Sequence, residues 1–293
     1  MIYVEKIMLP SLDDDQICVH ETYYNSSYPF HVLSTHGLYE VSFSDITLIT
    51  GGNGTGKSTL LNVIAQKLNL RRQTPFNKTE FFDVYLELCN IIRSDVSWQM
   101  SSGISEYGRI ITSDEVFDHI LDIRLQNEKI DEKRSDLLFE FDEYSKTKLP
   151  RRIDLGNIAD VEEYSKRVKS RKLSKSRYIK DNLGFNILEQ SNGENAFKYF
   201  TDAMKPYGLY LLDEPENSLS AERQIDLVGF IESMARFERC QFIISTHSPF
   251  LMSMKGAKLY NLDVQPAAVM PWTEVSTVKL YHNFFKEHEL EFN

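Results

Sequence analysis

A nine-residue segment constrains the fold of this chain more than any other feature: Gly51-Gly52-Asn53-Gly54-Thr55-Gly56-Lys57-Ser58-Thr59. It fits the pattern G-x-x-x-x-G-K-[ST] in full. A short apolar run, Asp45 to Thr50, precedes it, and apolar residues at helical spacing follow from Ser58 to Leu70. Glycines let successive backbone N–H groups point into such a loop, and the next helix adds its positive N-terminal end. The pattern therefore predicts a phosphate-binding loop between a strand and a helix.

Two side chains of this loop have expected chemical roles. Lys57 places a point charge on the β- and γ-phosphates of a nucleotide, and the Ser58 hydroxyl ligates magnesium. The other residues from 51 to 59 contribute mainly backbone contacts to the nucleotide. A chance glycine-rich turn is the alternative, and the strand before the loop and the helix after it argue against that alternative.

A second acidic site is expected where a later strand ends. Two compact apolar runs have the sequences LYLLDE and QFIIST. A helical segment, Ser220 to Arg236, lies between them. This order predicts a β-α-β unit in a parallel sheet. Asp213, at the end of the first run, suits a magnesium ligand. Because adjacent strand residues point to opposite faces, Glu214 is free to polarise an attacking water as general base. The alternative is an acidic turn that caps the strand.

The second run ends in Thr246-His247-Ser248-Pro249. Ligands of open parallel sheets bind at the carboxyl ends of the strands, which is where His247 is expected. A neutral imidazole there can bond to the γ-phosphate or to the attacking water, so we assign His247 a catalytic role. A lone histidine is more often structural, and that alternative stays open.

These residues together resemble ABC-type ATPases, and most of all the SMC/RecF-like branch, including a small predicted-ATPase family of bacteria grouped with AAA proteins. Glu216 to Ser220 looks like the D-loop of that branch, and Thr246 to Pro249 looks like its switch-histidine loop. The resemblance covers about residues 28–70 and 185–290. It implies ATP and Mg²⁺ as ligands. It also implies an α/β fold of the ABC-ATPase type, with a mixed sheet, N-terminal antiparallel strands and an inserted helical lid.

The same resemblance implies a signature motif that completes the site of a neighbouring copy. The best match is Ser191-Asn192-Gly193-Glu194, which departs from the transporter form Leu-Ser-Gly-Gly-Gln. A small hydroxyl and a glycine before a helix, expected over Asn195 to Met204, suit a γ-phosphate. Ser191, Gly193 and Glu194 are the expected contacts, and a plain helix N-cap is the alternative. For the Q-loop position, Asp114 is the best match and Gln73 is the rival.

The remaining chain predicts the domain organisation. The first fifty residues are interpreted as short strands with the sequences IYVEKIML, QICVH, PFHVL and LYEVSF. Helical patterns run from Ser113 to about Lys148 and from about Ala159 to Asp181. The first of these has an apolar face made of Val116, Phe117, Ile120, Leu121 and Ile123. We therefore expect one ABC-type ATPase domain over residues 1–293, with an inserted helical lid or arm at 113–183.

Charge is distributed unevenly along the chain. The formal net charge is -10, from 43 acidic and 33 basic residues, which is unlike a dedicated nucleic-acid binder. Tyr144 to Asp181, however, contains 12 Lys/Arg and 5 Asp/Glu, and Ser165 to Lys180 has eight basic residues and no acidic one. The segment 151–180 is therefore the candidate contact for nucleic acid or for an effector protein. A solvated lid surface is the alternative.

We thus expect a cytoplasmic ATPase without membrane insertion, since three scattered cysteines indicate neither a disulfide framework nor a zinc site. Two copies, facing head to tail, are expected to enclose ATP at their interface. The output of such a switch is nucleic-acid handling or control of an effector, for example a nuclease in phage defence. The rival hypotheses are the nucleotide-binding subunit of a membrane transporter and a non-enzymatic, ATP-gated scaffold.

Overall fold

The structure is a computed structural model that describes residues 1–19, 27–94, 108–147, 158–183 and 191–292. The chain divides into two compact units. The first contains Met1–Phe117 and Asn192–Asn293, and the second contains Asp118–Ser191. The predicted function of residues 113–183 as a lid stays a prediction, and so does the treatment of the chain as one ATPase domain.

A six-stranded sheet forms the centre of the first unit. Its spatial order is β5-β6-β7-β3-β8-β9. All neighbouring pairs are parallel except β8 and β9, which are antiparallel. The strand bounds are β3 Ile46–Thr50, β5 Arg109–Thr112, β6 Leu209–Asp213, β7 Gln241–Ser245, β8 Lys258–Asn261 and β9 Ala268–Val269. Because the first five are parallel, their carboxyl ends share one edge of the sheet, and that edge carries the phosphate-binding loop.

A three-stranded antiparallel sheet lies in the N-terminal part, with the order β2-β1-β4. Its bounds are β1 Val4–Met8, β2 Glu40–Ser42 and β4 Asn90–Arg93. Gln241, fully buried at the start of β7, joins the two sheets. Its amide oxygen accepts the backbone N–H groups of Tyr3 and Val4, and its amide nitrogen donates to the carbonyls of Val4 and Ser44. The predicted α/β fold, with a mixed sheet and N-terminal antiparallel strands, is confirmed.

Helices connect and cover these sheets. Their bounds are α1 Leu12–Val19, α2 Lys57–Lys67, α3 Phe81–Leu88, α4 Ser113–Lys146, α5 Ile158–Lys172, α6 Lys175–Asn182, α7 Asn192–Ala203, α8 Ala221–Phe237, α9 Pro249–Met252 and α10 Ser276–Glu287. The α2 helix contributes a run of buried side chains, including Leu60, Leu61 and Ile64, to the core of the first unit. This packing holds the start of α2 against the central sheet.

Two of the predicted N-terminal strands are wrong. Gln16–Val19 belongs to helix α1, because Ser11 begins that helix: the Asp14 N–H donates to Ser11 Oγ at 3.2 Å and Asp14 Oδ2 accepts the Ser11 N–H at 2.9 Å. Pro29 to Leu33 forms turns rather than a strand. The buried Asp15 carboxylate accepts the His31 N–H at 2.8 Å and so stabilises that turn.

Helices dominate the second unit. The helical pattern predicted over Ala159 to Asp181 is divided into α5 and α6, because Ser174 caps a new helix by accepting the Arg177 N–H. The apolar face predicted for α4 is only partly correct, since Val116 is buried but the Phe117 side chain is 59% exposed. Among the residues described, no helix combines the length and the apolar character needed to span a membrane.

Candidate functional site

The phosphate-binding loop lies between β3, whose five residues are all buried, and the first turn of α2. Gly56 ends the loop with φ +95°, in the left-handed region that favours glycine. A Cβ atom at this position would lie 2.7 Å from Leu33 Cδ2 and 2.8 Å from Val32 Cγ1. The final glycine of the motif is therefore required both by its backbone angle and by its packing.

Lys57 lies inside this loop, and its side chain is only 5% exposed. Its Nζ atom donates to the carbonyls of Gly51 and Gly52, at 3.0 and 3.2 Å. The same atom is 3.5 Å from Glu214 Oε1. The ammonium group is thus held in place before any ligand binds, and it presents a positive charge at the mouth of the loop.

Asp213 is the last residue of β6, beside the loop. Its Oδ1 atom accepts hydrogen bonds from Ser58 Oγ, at 3.1 Å, and from Ser245 Oγ. Burial raises the pKa of the Asp213 carboxyl, and the two hydroxyl donors act in the opposite direction. The structure therefore brings together the two residues predicted to ligate magnesium.

The donor set of this pair fits Mg²⁺. A hydroxyl and a carboxylate are hard oxygen ligands, and magnesium is usually held by one or two protein ligands together with substrate phosphates. Within the described ranges, no group of three His, Cys, Asp or Glu side chains is placed to hold a metal ion.

Glu214, directly after β6, adopts a left-handed backbone with φ 48°, which is unusual for a residue with a side chain. Its N–H donates to both the carbonyl and the hydroxyl of Ser245, each at 3.1 Å. Glu214 Oε1 lies 3.3 Å from His247 Nε2, and Oε2 accepts from Asn217 Nδ2 at 3.1 Å. The strained turn therefore directs the carboxylate between the lysine of the loop and the predicted catalytic histidine.

Glu216 fixes the loop that carries His247. Its Oε1 atom accepts the Thr246 hydroxyl at 2.9 Å and the His247 N–H at 2.5 Å. The sequence assigned Glu216 only to a D-loop-like string, so its contact with the histidine loop was missed. A carboxylate three residues after Asp213 is too common a feature to indicate this role by itself.

Asp263 is a second contact that the sequence analysis missed. Its Oδ1 atom accepts the Gly52 N–H at 2.6 Å. Asp263 follows β8, which pairs in parallel with β3. An acidic residue after the strand KLYN was the available signal, but its use required knowledge that β8 is the neighbour of β3.

The signature-like residues lie elsewhere in the chain. Gly193 and Glu194 belong to the first turn of α7, which begins three residues earlier than predicted. A Cβ atom on Gly193 would lie 3.7 Å from the Ser220 backbone nitrogen, and Glu194 Oε1 is 3.4 Å from Arg223 Nη2. Both residues thus pack against the start of α8. Ser191 belongs to the second compact unit.

Comparison with known proteins adds one partial family match. Residues 198–253 match the AAA_21 family, described as "AAA domain, putative AbiEii toxin, Type IV TA system". This segment contains Asp213, Glu214 and His247, and it lacks the phosphate-binding loop. No curated protein matched the chain.

Several solved structures show similarity to this chain over most of its length, with TM-scores below 0.5. The Smc head domain from Pyrococcus furiosus is 14% identical, with 99% of this chain and 100% of that chain covered and a TM-score of 0.40. The SMC head domain from Thermotoga maritima is 15% identical, with coverages of 92% and 99% and a TM-score of 0.39. A putative metal-chelate type ABC transporter is 16% identical, with coverages of 83% and 80% and a TM-score of 0.38.

The first unit has an α/β P-loop fold, in which the glycine-rich loop joins a strand of a mostly parallel sheet to a helix. That statement rests on the strand order, on the loop between β3 and α2, and on the meeting of Lys57, Ser58, Asp213 and Glu214 at the carboxyl ends of parallel strands. The family match over the second acidic strand agrees with it.

The two Q-loop candidates lie in different parts of the first unit. Asp114 lies in the first turn of α4, directly after β5, and Thr112 of β5 pairs in register with Asp213. Gln73 Oε1 instead lies 3.3 Å from the Tyr199 hydroxyl oxygen. The strand pairing favours Asp114 on position, and the choice between the two stays a prediction.

The predicted basic contact segment is partly neutralised within the second unit. Three of its cations form ion pairs: Lys166 with Glu140 at 3.1 Å, Arg167 with Glu163 at 2.5 Å, and Lys175 with Asp142 at 2.7 Å. Residues 151–157 of that segment lie outside the described residues. Its positive surface is therefore weaker than the sequence alone indicates.

A cavity of about 930 Å³ borders the loop that carries His247. Glu216 and His247 line one part of it, and Trp272, Tyr281 and Phe285 line another. A group that enters this cavity would touch the loop that positions His247.

Proposed function

We propose that this protein binds ATP with Mg²⁺ and hydrolyses the bond to the γ-phosphate. The observation that carries the proposal is the convergence of Lys57, Ser58, Asp213, Glu214 and His247 on one edge of a parallel sheet. These five side chains supply the charge, the oxygen ligands and the proton acceptor that phosphoryl transfer to water requires.

Lys57 binds the β- and γ-phosphates from its place inside the loop, and the backbone N–H groups of the loop surround them. Ser58 and Asp213 would hold Mg²⁺, which supplies charge neutralisation at the phosphates. Lys57 and the loop orient the nucleotide, so the γ-phosphate faces the end of β6.

Glu214 accepts the proton of the attacking water on its Oε1 atom. This atom lies 3.3 Å from His247 Nε2 and 3.5 Å from Lys57 Nζ, so the carboxylate is held between two groups that stabilise its charge. His247 bonds to the γ-phosphate or to that water, and Glu216 keeps its backbone in place.

Substitution of Glu214 by Gln tests this assignment. The amide cannot take the proton, so ATP turnover should fall by about 100-fold or more, while ATP binding persists. Phosphate release measures the first effect, and retention of labelled ATP measures the second. Glu222→Gln, on the exposed surface of α8, is the matched control and should turn over ATP normally. Normal hydrolysis by Glu214→Gln would remove Glu214 from the mechanism.

We infer further that two copies act as an ATP-gated homodimer. Gly193 and Glu194 lie at the N-terminal end of α7, a 12-residue helix whose positive end suits a γ-phosphate. Their described contacts are with the start of α8, whereas the ATP residues gather at the ends of β3, β6 and β7. A head-to-tail pair would bring one copy's α7 to the other copy's nucleotide, and closure would exclude water.

The output of the switch is proposed to be nucleic-acid handling or control of an effector, phage defence included. The cytoplasm is its proposed location, because Cys89 and Cys240 are buried free thiols and a reducing compartment keeps such thiols intact. Size-exclusion chromatography of Glu214→Gln with and without ATP tests the dimer. The proteins that co-purify with the ATP-bound form identify the effector.

A further inference from the structure

A separate cavity of about 570 Å³ lies in the first unit and is lined by four cationic side chains: Arg71, Arg72, Arg109 and Lys205. Arg109 is the first residue of β5, and it pairs in register with Tyr210, near the start of β6. Since the phosphate-binding loop follows the carboxyl end of β3, and β3, β5 and β6 run parallel, this cavity lies towards the opposite edge of the sheet.

The positive charge of the cavity is compensated only in part, since the carboxylates of Asp213, Glu115 and Asp114 act on Arg72 without forming an ion pair with it. Arg109 pairs with the buried carboxylate of Glu115. Within the part of the chain that the structure describes, Arg71, Arg72 and Lys205 form no ion pair. No carboxylate lines the cavity. Three unpaired cations around one concave space contrast with the net charge of -10 of the whole chain.

Two of the guanidinium groups are already oriented. Arg109 Nη2 donates to the Tyr199 hydroxyl at 2.6 Å, and its guanidinium lies over the Tyr199 ring at 5.6 Å. Arg72 Nε donates to the Thr74 carbonyl at 2.5 Å, Arg72 Nη1 donates to Asn62 Oδ1, and the guanidinium lies 4.7 Å from the centre of the Phe76 ring. Guanidinium groups that are already oriented in this way lose little conformational entropy when they bind two oxygens of a phosphate.

We propose that this cavity is a second anion site, which binds a phosphate group of a ligand other than the ATP in the loop. Its volume falls in the range of ligand sites, about 300–1,000 Å³, and suits a phosphate with an attached nucleoside. Arg109 and the Nη2 group of Arg72 hold the phosphate, while the exposed Arg71 and Lys205 widen the positive rim. Both a free polyphosphate and a phosphate of a nucleic-acid backbone present this chemistry.

The test uses the full chain with Lys57→Ala, so that anion binding by the first site is weakened and the second site dominates. Fluorescence-detected titrations employ two probes: tripolyphosphate and a labelled single-stranded oligonucleotide. We expect at least one probe to bind. Adding the pair Arg71→Glu with Lys205→Glu should weaken the affinity for that probe by about tenfold or more, the effect of one lost charge-assisted contact.

The pair Arg236→Glu with Lys255→Glu, equally exposed and outside the cavity, is the control. It should change the affinity by less than about twofold, because remote surface charges are screened.

The two probes separate the two sources of phosphate. Binding of tripolyphosphate alone identifies a free polyphosphate ligand. Binding of the oligonucleotide alone, with an affinity that falls as salt rises, identifies a nucleic-acid backbone. Failure of both probes, or equal effects of the cavity pair and the control pair, would overturn the proposal. ATP hydrolysis enters none of these measurements, so the outcome is independent of the proposed catalytic function.

Discussion

Glu216 lies three residues after Asp213, and its side-chain carboxylate is partly buried. Oε1 accepts two hydrogen bonds from the histidine loop, whereas Oε2 is buried without a partner in the described structure. Burial raises the pKa of Glu216, and the bonds from His247 and Thr246 lower it by less. Ionisation of Glu216 therefore costs more free energy in the folded protein than in the unfolded chain.

Glu216→Gln should reveal this cost as a dependence on pH. Below the ordinary Glu pKa of 4.5, both proteins carry a neutral side chain, and their free energies of unfolding should differ least. As the pH rises through the raised pKa of the folded state, the wild type loses stability that the variant keeps. Urea denaturation from about pH 4 to about pH 8 measures the difference, and a constant difference over this range would refute the buried-carboxylate explanation.

Gly56 offers a test of the loop geometry. Gly56→Ala places a Cβ in the left-handed region and against Leu33 and Val32, so it should destabilise the protein by about 2–4 kcal/mol and abolish ATP binding. Gly229→Ala is the matched control, since its Cβ would meet no atom within 4 Å on the exposed side of α8. That change should stabilise by about 0.5–1 kcal/mol. Urea denaturation checks both, and a Gly56→Ala protein as stable as wild type would contradict the model of a strained loop.

At the scale of elements, one polar cluster joins β5, α4 and α7. Arg109 Nη2 donates to Glu115, whose side chain is 1% exposed, and the Tyr199 hydroxyl donates to the same carboxylate. Burial raises the pKa of Tyr199, and the neighbouring Glu115 carboxylate raises it further. The cluster thus links the helix of the signature-like residues with the strand beside β6.

Glu115→Ala should therefore cost about 3–5 kcal/mol of stability, because it leaves the Arg109 charge half-buried and unpaired. Asp83→Ala removes a surface ion pair with Lys78, both exposed, and should cost about 1 kcal/mol or less. Thermal and urea unfolding measure the two variants side by side. Equal costs would show that burial does not strengthen the Glu115 pair.

The proposed dimer yields a prediction for the whole molecule. Lys57→Ala disables the loop, and Gly193→Asp sets a negative charge where the signature would meet the γ-phosphate. A Cβ at Gly193 makes only ordinary contacts, so the second variant should fold. Each variant alone should be inactive. In an equal mixture, half of the dimers combine both chains and carry one intact composite site, so about a quarter of the wild-type ATPase rate should return.

Phosphate release from titrated mixtures measures this recovery. A mixture as inactive as its components would show that Gly193 serves the nucleotide of its own chain.

Charge also has to be assessed for the whole molecule and for its parts. The net charge of -10 argues against nucleic acid, and the basic segment from Ser165 to Lys180 argues for it. The structure alters both arguments. Ion pairs with Glu140, Glu163 and Asp142 neutralise part of the basic segment. The denser unpaired charge belongs to the cavity near Arg109, whose cations come from three distant parts of the chain.

Local sequence was enough to predict the strand, loop and helix around Lys57, and the acidic strand end at Asp213. Glycines, apolar runs and capping positions determine the local structure within a few residues, so tertiary packing changes little of it. The early strands were harder to predict: Gln16–Val19 has β-branched and apolar residues typical of a strand, but the cap formed by Ser11 and Asp14 begins a helix.

The sequence by itself determined which residues are the candidates for phosphate chemistry, because each lies in a motif whose spacing is local. Only the tertiary structure decided that Glu214 meets both Lys57 and His247, that Glu216 positions the histidine loop and that Asp263 contacts Gly52. The same holds for the second cluster of cations. These contacts join residues that are far apart in the chain. They form because of the order in which the parallel strands pair, and no local sequence pattern specifies that order.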